Sequence, residues 1–150
     1  MNDIIGIDLA TKNCGLCFIN EDGTQFNTVG LKDLKPETIY KFTKSLCIIV
    51  KGSGIAVDFS WSEIYLPGRR NHAAIKYFVA GALLQAAKSC VFITPAELRK
   101  YYGYAPKTKK EVLHGLVPEE YTHRNEHEKD AWLLARLIWS KNENHNVSNG

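Results

Sequence analysis

A short β-branched run that ends on a carboxylate and leads directly into a hairpin limits what this chain can become. Residues 3–8, Asp3-Ile4-Ile5-Gly6-Ile7-Asp8, read as a strand. Gly15 to Asn20 reads as a second strand, and Asp22-Gly23 is a strong turn signal into a third at 24–29. The pattern then changes period. Pro36 and Glu37 open a helix that points Ile39, Phe42 and Leu46 to one side. Ile55-Ala56-Val57 is a brief apolar strand that again ends on an acid, Asp58, and a long helix follows from about Asn71 to Lys88.

Cys90 to Thr94 makes a fifth strand. Thr94-Pro95-Ala96-Glu97 is a capping box with proline at the first helical position, and Gly103 stops that helix. Thr108-Lys109-Lys110-Glu111 reads as a second box, and Asn125 with Glu128 as a third, opening a final helix over about 126–141. Residues 142–150 are polar and are expected to form a disordered tail. The resulting order, β-β-β-α-β-α-β-α-α-α, implies an α/β fold: one mixed sheet of five strands with helices on both faces. Such a layout brings the ends of the first and fourth strands side by side, so that Asp8 and Asp58 become neighbours.

Composition narrows the class without naming a function. With 150 residues, 45% hydrophobic and 23% charged, the chain suits one globular domain. No apolar run reaches membrane-spanning length, and Met1-Asn2-Asp3 lacks a basic leader, so a cytoplasmic location is expected, in a bacterium or a phage-infected host. Cys14 and Cys17 have C-x-x-C spacing, but Cys47 and Cys90 stand alone, so no zinc site is expected.

The acids carry the chemical signal. The apolar stripe of the last helix, Ala131, Leu134, Leu137 and Ile138, extends backward at helical spacing to Asp130 and His127. Three aspartates and a histidine thus converge where isolated carboxylates are costly, and clustered carboxylates repel one another. A bound cation resolves both problems. Oxygen and imidazole donors suit Mg²⁺, with Mn²⁺ an alternative, and two such ions ~3.5–4 Å apart can promote hydrolysis of a phosphodiester.

Ile4-Ile5-Gly6-Ile7-Asp8, Ala56-Val57-Asp58 and His127-x-x-Asp130-Ala131 together resemble the acidic signature of RuvC-type Holliday-junction resolvases. Gly81-Ala82-Leu83-Leu84, Pro95, Arg99-Lys100, Gly103 and Lys109-x-x-Val112 resemble further segments of that family. The resemblance implies a ribonuclease H-like nuclease domain over 1–141 and a homodimer that nicks two strands of a four-way DNA junction with Mg²⁺. It assigns Asp8, Asp58 and Asp130 to metal binding, with His127 as ligand or proton carrier. The second acid of the family is usually glutamate, which makes Glu63 a fallback ligand, and Ala10-Thr11 replaces its usual Pro-Gly.

Two basic stretches supply expected phosphate contacts: Arg99, Lys100, Lys107, Lys109 and Lys110, interleaved with Tyr101, Tyr102 and Tyr104, and the loop carrying Arg69 and Arg70. Lys109 is also a candidate to stabilise charge on the scissile phosphate. The homodimer is expected to form through the helix at 72–88. One of its apolar stripes holds Ile75, Val79, Ala82 and Ala86, the other Tyr77, Ala80, Leu84 and Ala87. Competing readings are a ribonuclease H-like enzyme of RNA processing, a non-catalytic DNA-binding relative, and an actin-like ATPase, which Ala10 disfavours because a phosphate-admitting glycine would stand there.

Overall fold

The computed structural model describes residues 3–60, 67–68 and 70–149, with side chains as far as 140. Five strands form one sheet in the order β3-β2-β1-β4-β5. They are β1 (Ile4–Asp8), β2 (Cys14–Asn20), β3 (Gly23–Val29), β4 (Gly54–Asp58) and β5 (Ser89–Ile93). The first three make the antiparallel meander, and β4 and β5 add in parallel beside β1. The helices are α1 (Pro36–Val50), α2 (Arg70–Ala86), α3 (Pro95–Tyr101), α4 (Lys110–His114) and α5 (Glu126–Asn149). The sheet is mixed and helices cover both faces, as the order of elements requires.

Strand alternation sorts the core into two layers. Ile5 and Ile7 of β1 and Ile55 and Val57 of β4 face α1 and α2, where they bury Leu46, Val50, Val79 and Leu83. The alternate residues, Ile4 of β1 and Ala56 of β4, meet α5 through Ala131, Leu133, Leu134 and Ala135. Gly6↔Ala56 and Ile7↔Val57 are register pairs, so the next residues, Asp8 and Asp58, share an end and the α5 side of the sheet.

The three capping signals differ in what they form. The Thr94 box is complete: its hydroxyl accepts the Glu97 N–H at 3.2 Å, and the Glu97 carboxylate accepts the Thr94 N–H at 3.3 Å. Asn125 caps the N–H of Glu128 at 2.8 Å, but the Glu128 carboxylate turns inward to the Thr28 hydroxyl at 2.9 Å. Thr108 forms no capping box. Lys109 stands at the N-cap of α4 with no side-chain cap bond, and the Thr108 carbonyl instead accepts from Arg99 Nε at 2.6 Å. The backbone of α5 stays helical to Asn149 rather than ending near 141, since neither glycine nor proline lies between 142 and 149 to stop it.

The stripes expected on α2 are out of phase with the packing. Ala73, Val79, Ala80 and Leu83 are buried together, so the covered line straddles the two stripes. The face left open carries Tyr77, Phe78 and Leu84, the last two more than half exposed. An unbroken apolar sequence does not itself show which side meets the sheet.

Candidate active site

Three elements deliver carboxylates to one end of the sheet. Asp8 and Asp58 close β1 and β4, and Asp130 lies one turn into α5. All three line a pocket of about 230 Å³, together with Ile93, Thr94, Leu98, Arg99 and Lys110. The Leu9 N–H donates to Asp58 Oδ1 at 2.7 Å and pins that carboxylate. His127 Nδ1 lies 3.1 Å from Asp8 Oδ2, and its Nε2 lies 3.6 Å from Glu126 Oε1. Asp8, Asp58, His127 and Asp130 are therefore brought together as their strand-end and helix-face positions suggest.

Asp8 and Asp58 are uncomfortable as anions. Burial, then the nearby Asp130 charge, pushes Asp8 up to about 6, even though Asp58 hydrogen-bonds it. Burial and the Asp8 charge hold Asp58 well above the ordinary carboxylate range. Each carboxyl therefore resists ionising while the other is charged, and the pair favours the protonated form more than an isolated aspartate does. Asp130 has close partners instead: His114 Nε2 at 2.7 Å from Oδ1 and the Lys110 ammonium Nζ at 3.1 Å from Oδ2. Burial pulls the Lys110 amine down, but Asp130, Asp8 and Glu126 outweigh it and hold the amine above its ordinary value.

The donor set fits a hard divalent cation in kind: three carboxylates on one pocket, two of them penalised as anions, with an imidazole alongside. Asp130 is turned toward His114 and Lys110, and among the described residues no group of three ligating side chains stands at metal-holding distance.

Several expected contacts are reassigned. Lys110, rather than Lys109, reaches the acids, while Lys109 is exposed at the N-cap of α4. Arg99 lines the pocket, but its guanidinium is engaged by the carbonyls of Thr108 and Pro95 at 2.6 and 2.9 Å, bracing α3 against the following loop. Tyr102 donates to the Leu133 carbonyl at 2.6 Å and packs with Tyr104 against α5, which leaves Tyr101 as the exposed ring of the three. Lys100 and Lys107 are exposed, and Arg70 is exposed at the start of α2. Arg69 and Glu63 lie outside the described residues. Cys14 and Cys17 are both buried and free, and burial raises both thiols, that of Cys14 to about 12. They are core residues rather than a metal pair.

From the sequence Lys110 is expected only as a phosphate contact, and no role is assigned to His114 or Lys76. Lys110 and His114 are four apart on α4, the spacing that puts both on one helix face, and this could have marked them as partners of an acid. Lys76, a polar residue on the largely apolar α2, stands near enough for its charge to ease both Asp8 and Asp58 downward, against the larger upward effect of burial.

No family model matches the sequence, and no curated protein matches it. Solved structures do. RuvC of T. thermophilus, in complex with a Holliday junction substrate, superposes with a TM-score of 0.66 at 16% identity, covering 91% of this chain and 92% of that one. This chain has the fold of the RuvC-type resolvases. A second T. thermophilus RuvC structure gives 0.68 at 17% identity, covering 90% and 92%. The yeast mitochondrial Holliday junction resolvase gives 0.55 at 19% identity, covering 90% of this chain and 75% of that chain. The ribonuclease H-like fold expected from the acidic signature is thereby established.

The raised Asp8 value has a consequence for stability. A carboxyl held above its unfolded value costs nothing while both states are protonated, below about pH 4. The penalty grows as pH rises from the unfolded value, 3.8, and is complete above about 6. In metal-free buffer, Asp8→Asn is therefore expected to be more stable than the parent near pH 7.5, by roughly 2–3 kcal/mol, with most of the gain lost near pH 4. Urea unfolding at the two pH values measures this; an equal effect at both contradicts it.

Proposed function

We propose that the chain is a divalent-metal-dependent endonuclease that cuts four-way DNA junctions by paired phosphodiester hydrolysis. The observation that carries this reading is the convergence of Asp8, Asp58 and Asp130 in one pocket at the sheet end of a resolvase-like fold. Asp8, Asp58 and Asp130, with His127 beside them, would hold Mg²⁺ or Mn²⁺. A bound ion supplies Lewis acidity toward the scissile phosphate.

The protein's own groups do the remaining work. The Leu9 N–H orients Asp58, and the buried, mutually repelling Asp8 and Asp58 are the carboxyls whose ionisation a held cation would favour. His127, in contact with Asp8, can accept a proton at the site's edge. Lys110 bridges from Asp130 toward the pocket, with its side chain about half exposed, and can neutralise charge gathering on the phosphate. Lys100, Lys107, Lys109 and Arg70 form the outer phosphate-contacting surface. Among the described residues no helix is long and apolar enough to cross a membrane.

Asp8→Asn and Asp130→Asn are each expected to abolish cleavage of a four-way DNA junction while binding persists, because phosphate contacts come from separate cations. Asp58→Asn should be equally inactive; if it remains active while Glu63→Gln is dead, the second ligand is Glu63. Incubation with a four-way junction, its linear duplex and an RNA–DNA hybrid, with and without Mg²⁺, tests the substrate class. Cleavage confined to the hybrid would favour the RNA-processing reading, and full activity of both Asp8→Asn and Asp130→Asn would overturn the acidic site.

A junction with two strands to cut calls for two active sites, and a symmetric dimer through α2 supplies them. Its contact surface would be Tyr77, Phe78 and Leu84, the face the monomer leaves open. Sedimentation at micromolar concentration should give a dimer for the parent chain and a monomer for Leu84→Glu. A monomeric parent that nicks both strands in concert would contradict the arrangement.

A further inference from the structure

A second cleft, of about 390 Å³, adjoins the acidic pocket on the other side of His127. It lies over the β1–β2 turn and the first turns of α2, and its polar lining is Thr11, Lys12, Asn13, His72, Lys76 and His127. The two pockets differ in kind. The first is lined by three carboxylates. The second has, among the described residues, two lysines and no carboxylate, so it suits an anion better than a hard cation. Its polar groups are also held in place: Thr11 is buried, and its hydroxyl bonds His72 Nδ1 at 2.8 Å. Among the described residues its only rings are the imidazoles of His72 and His127.

We propose that this cleft is a phosphate subsite, in which Lys12 and Lys76 hold the backbone phosphodiester flanking the one attacked at the acidic pocket. The inference rests on the nuclease reading above. His127 touches Asp8 and also lines the second cleft, so a strand engaging the acids continues over the β1–β2 turn. Lys76 faces the acids from α2 while Lys110 faces them from α4, and its charge reaches Asp8 and Asp58. The strand is thus gripped on both sides of the cut bond. A contact to the backbone alone sets register without reading sequence.

The test walks a single neutral methylphosphonate along the cleaved strand of a four-way DNA junction and measures metal-free binding by anisotropy. The proteins are the parent chain, Lys76→Met, Lys12→Met and Lys76→Arg, each first checked for a cooperative melt. At one position beside the cleaved bond, the parent should lose about as much affinity from the neutral phosphate as it loses from Lys76→Met. Lys76→Met should be insensitive to the modification there, and Lys76→Arg should behave like the parent. Lys12→Met, on an exposed turn, should show the same loss of coupling and a salt slope shallower by about one. Additive losses at every position for both methionine variants would overturn the subsite. If the parent cuts the junction but no position couples, the subsite alone fails. If it neither binds nor cuts junction, duplex or hybrid, the nuclease reading fails and the subsite with it.

Discussion

The close approach of α5 to the middle of the sheet is the contact on which the rest of the structure depends. It is possible because β1 and β2 present glycine where the helix backbone passes. A Cβ on Gly6 would be driven into the Ala131 carbonyl and the Ala135 amide, and one on Gly15 into the His127 carbonyl. Overpacking of this kind costs about 1–3 kcal/mol where the surroundings can shift. Here the obstacle is backbone on both sides, so relief requires lifting the helix. Ala131 and Ala135 complete the seam with small side chains of their own. Because α5 also carries His127 and Asp130, a lifted helix would carry both away from Asp8. One packing decision fixes the core and the site together.

The site is balanced between burial and charge. Asp8 and Asp58 are held away from water by the strands that end on them, and together they resist double ionisation. Asp130 stays near Lys110 and His114, and Lys76 and Lys110 approach from opposite faces of the sheet. Such an arrangement costs stability, and a cation held there, as proposed, would offset that cost. The buried Glu128, which accepts from Thr28 of the edge strand, ties the first turn of α5 to β3 and keeps His127 in place.

Much of this was legible in the sequence, and the remainder failed for physical reasons. Strand-end acids announce themselves because period-two alternation sends Asp8 and Asp58 to one face, and the Asp22-Gly23 turn fixes the meander before them. The inward phase of α5 was readable because His127 and Asp130 fall in line at helical spacing with Ala131, Leu134 and Leu137. On α2 the few polar residues are scattered around the axis, so the covered side could not be assigned. The Thr94 box was found and the Thr108 box was not formed, since Arg99 engages the Thr108 carbonyl through a contact that sequence cannot register. Lys109 was chosen over Lys110 by family likeness, whereas the α4 spacing of Lys110 and His114 selects the pair that meets Asp130. Lys76 was hidden because its role depends on the height of α2 above the strand ends, a tertiary quantity.

The central claim is that the Asp8–Asp58–Asp130 cluster holds a divalent cation, whose binding would displace a proton from carboxyls that resist ionising without it. Calorimetric titration of Mg²⁺ into the nucleic-acid-free protein near pH 6, in two buffers of different ionisation enthalpy, measures uptake and proton release at once. The account predicts saturable binding with about one proton released in the parent chain, and neither binding nor release in Asp8→Asn. Saturable binding with no proton released, or binding unchanged by Asp8→Asn, would contradict it.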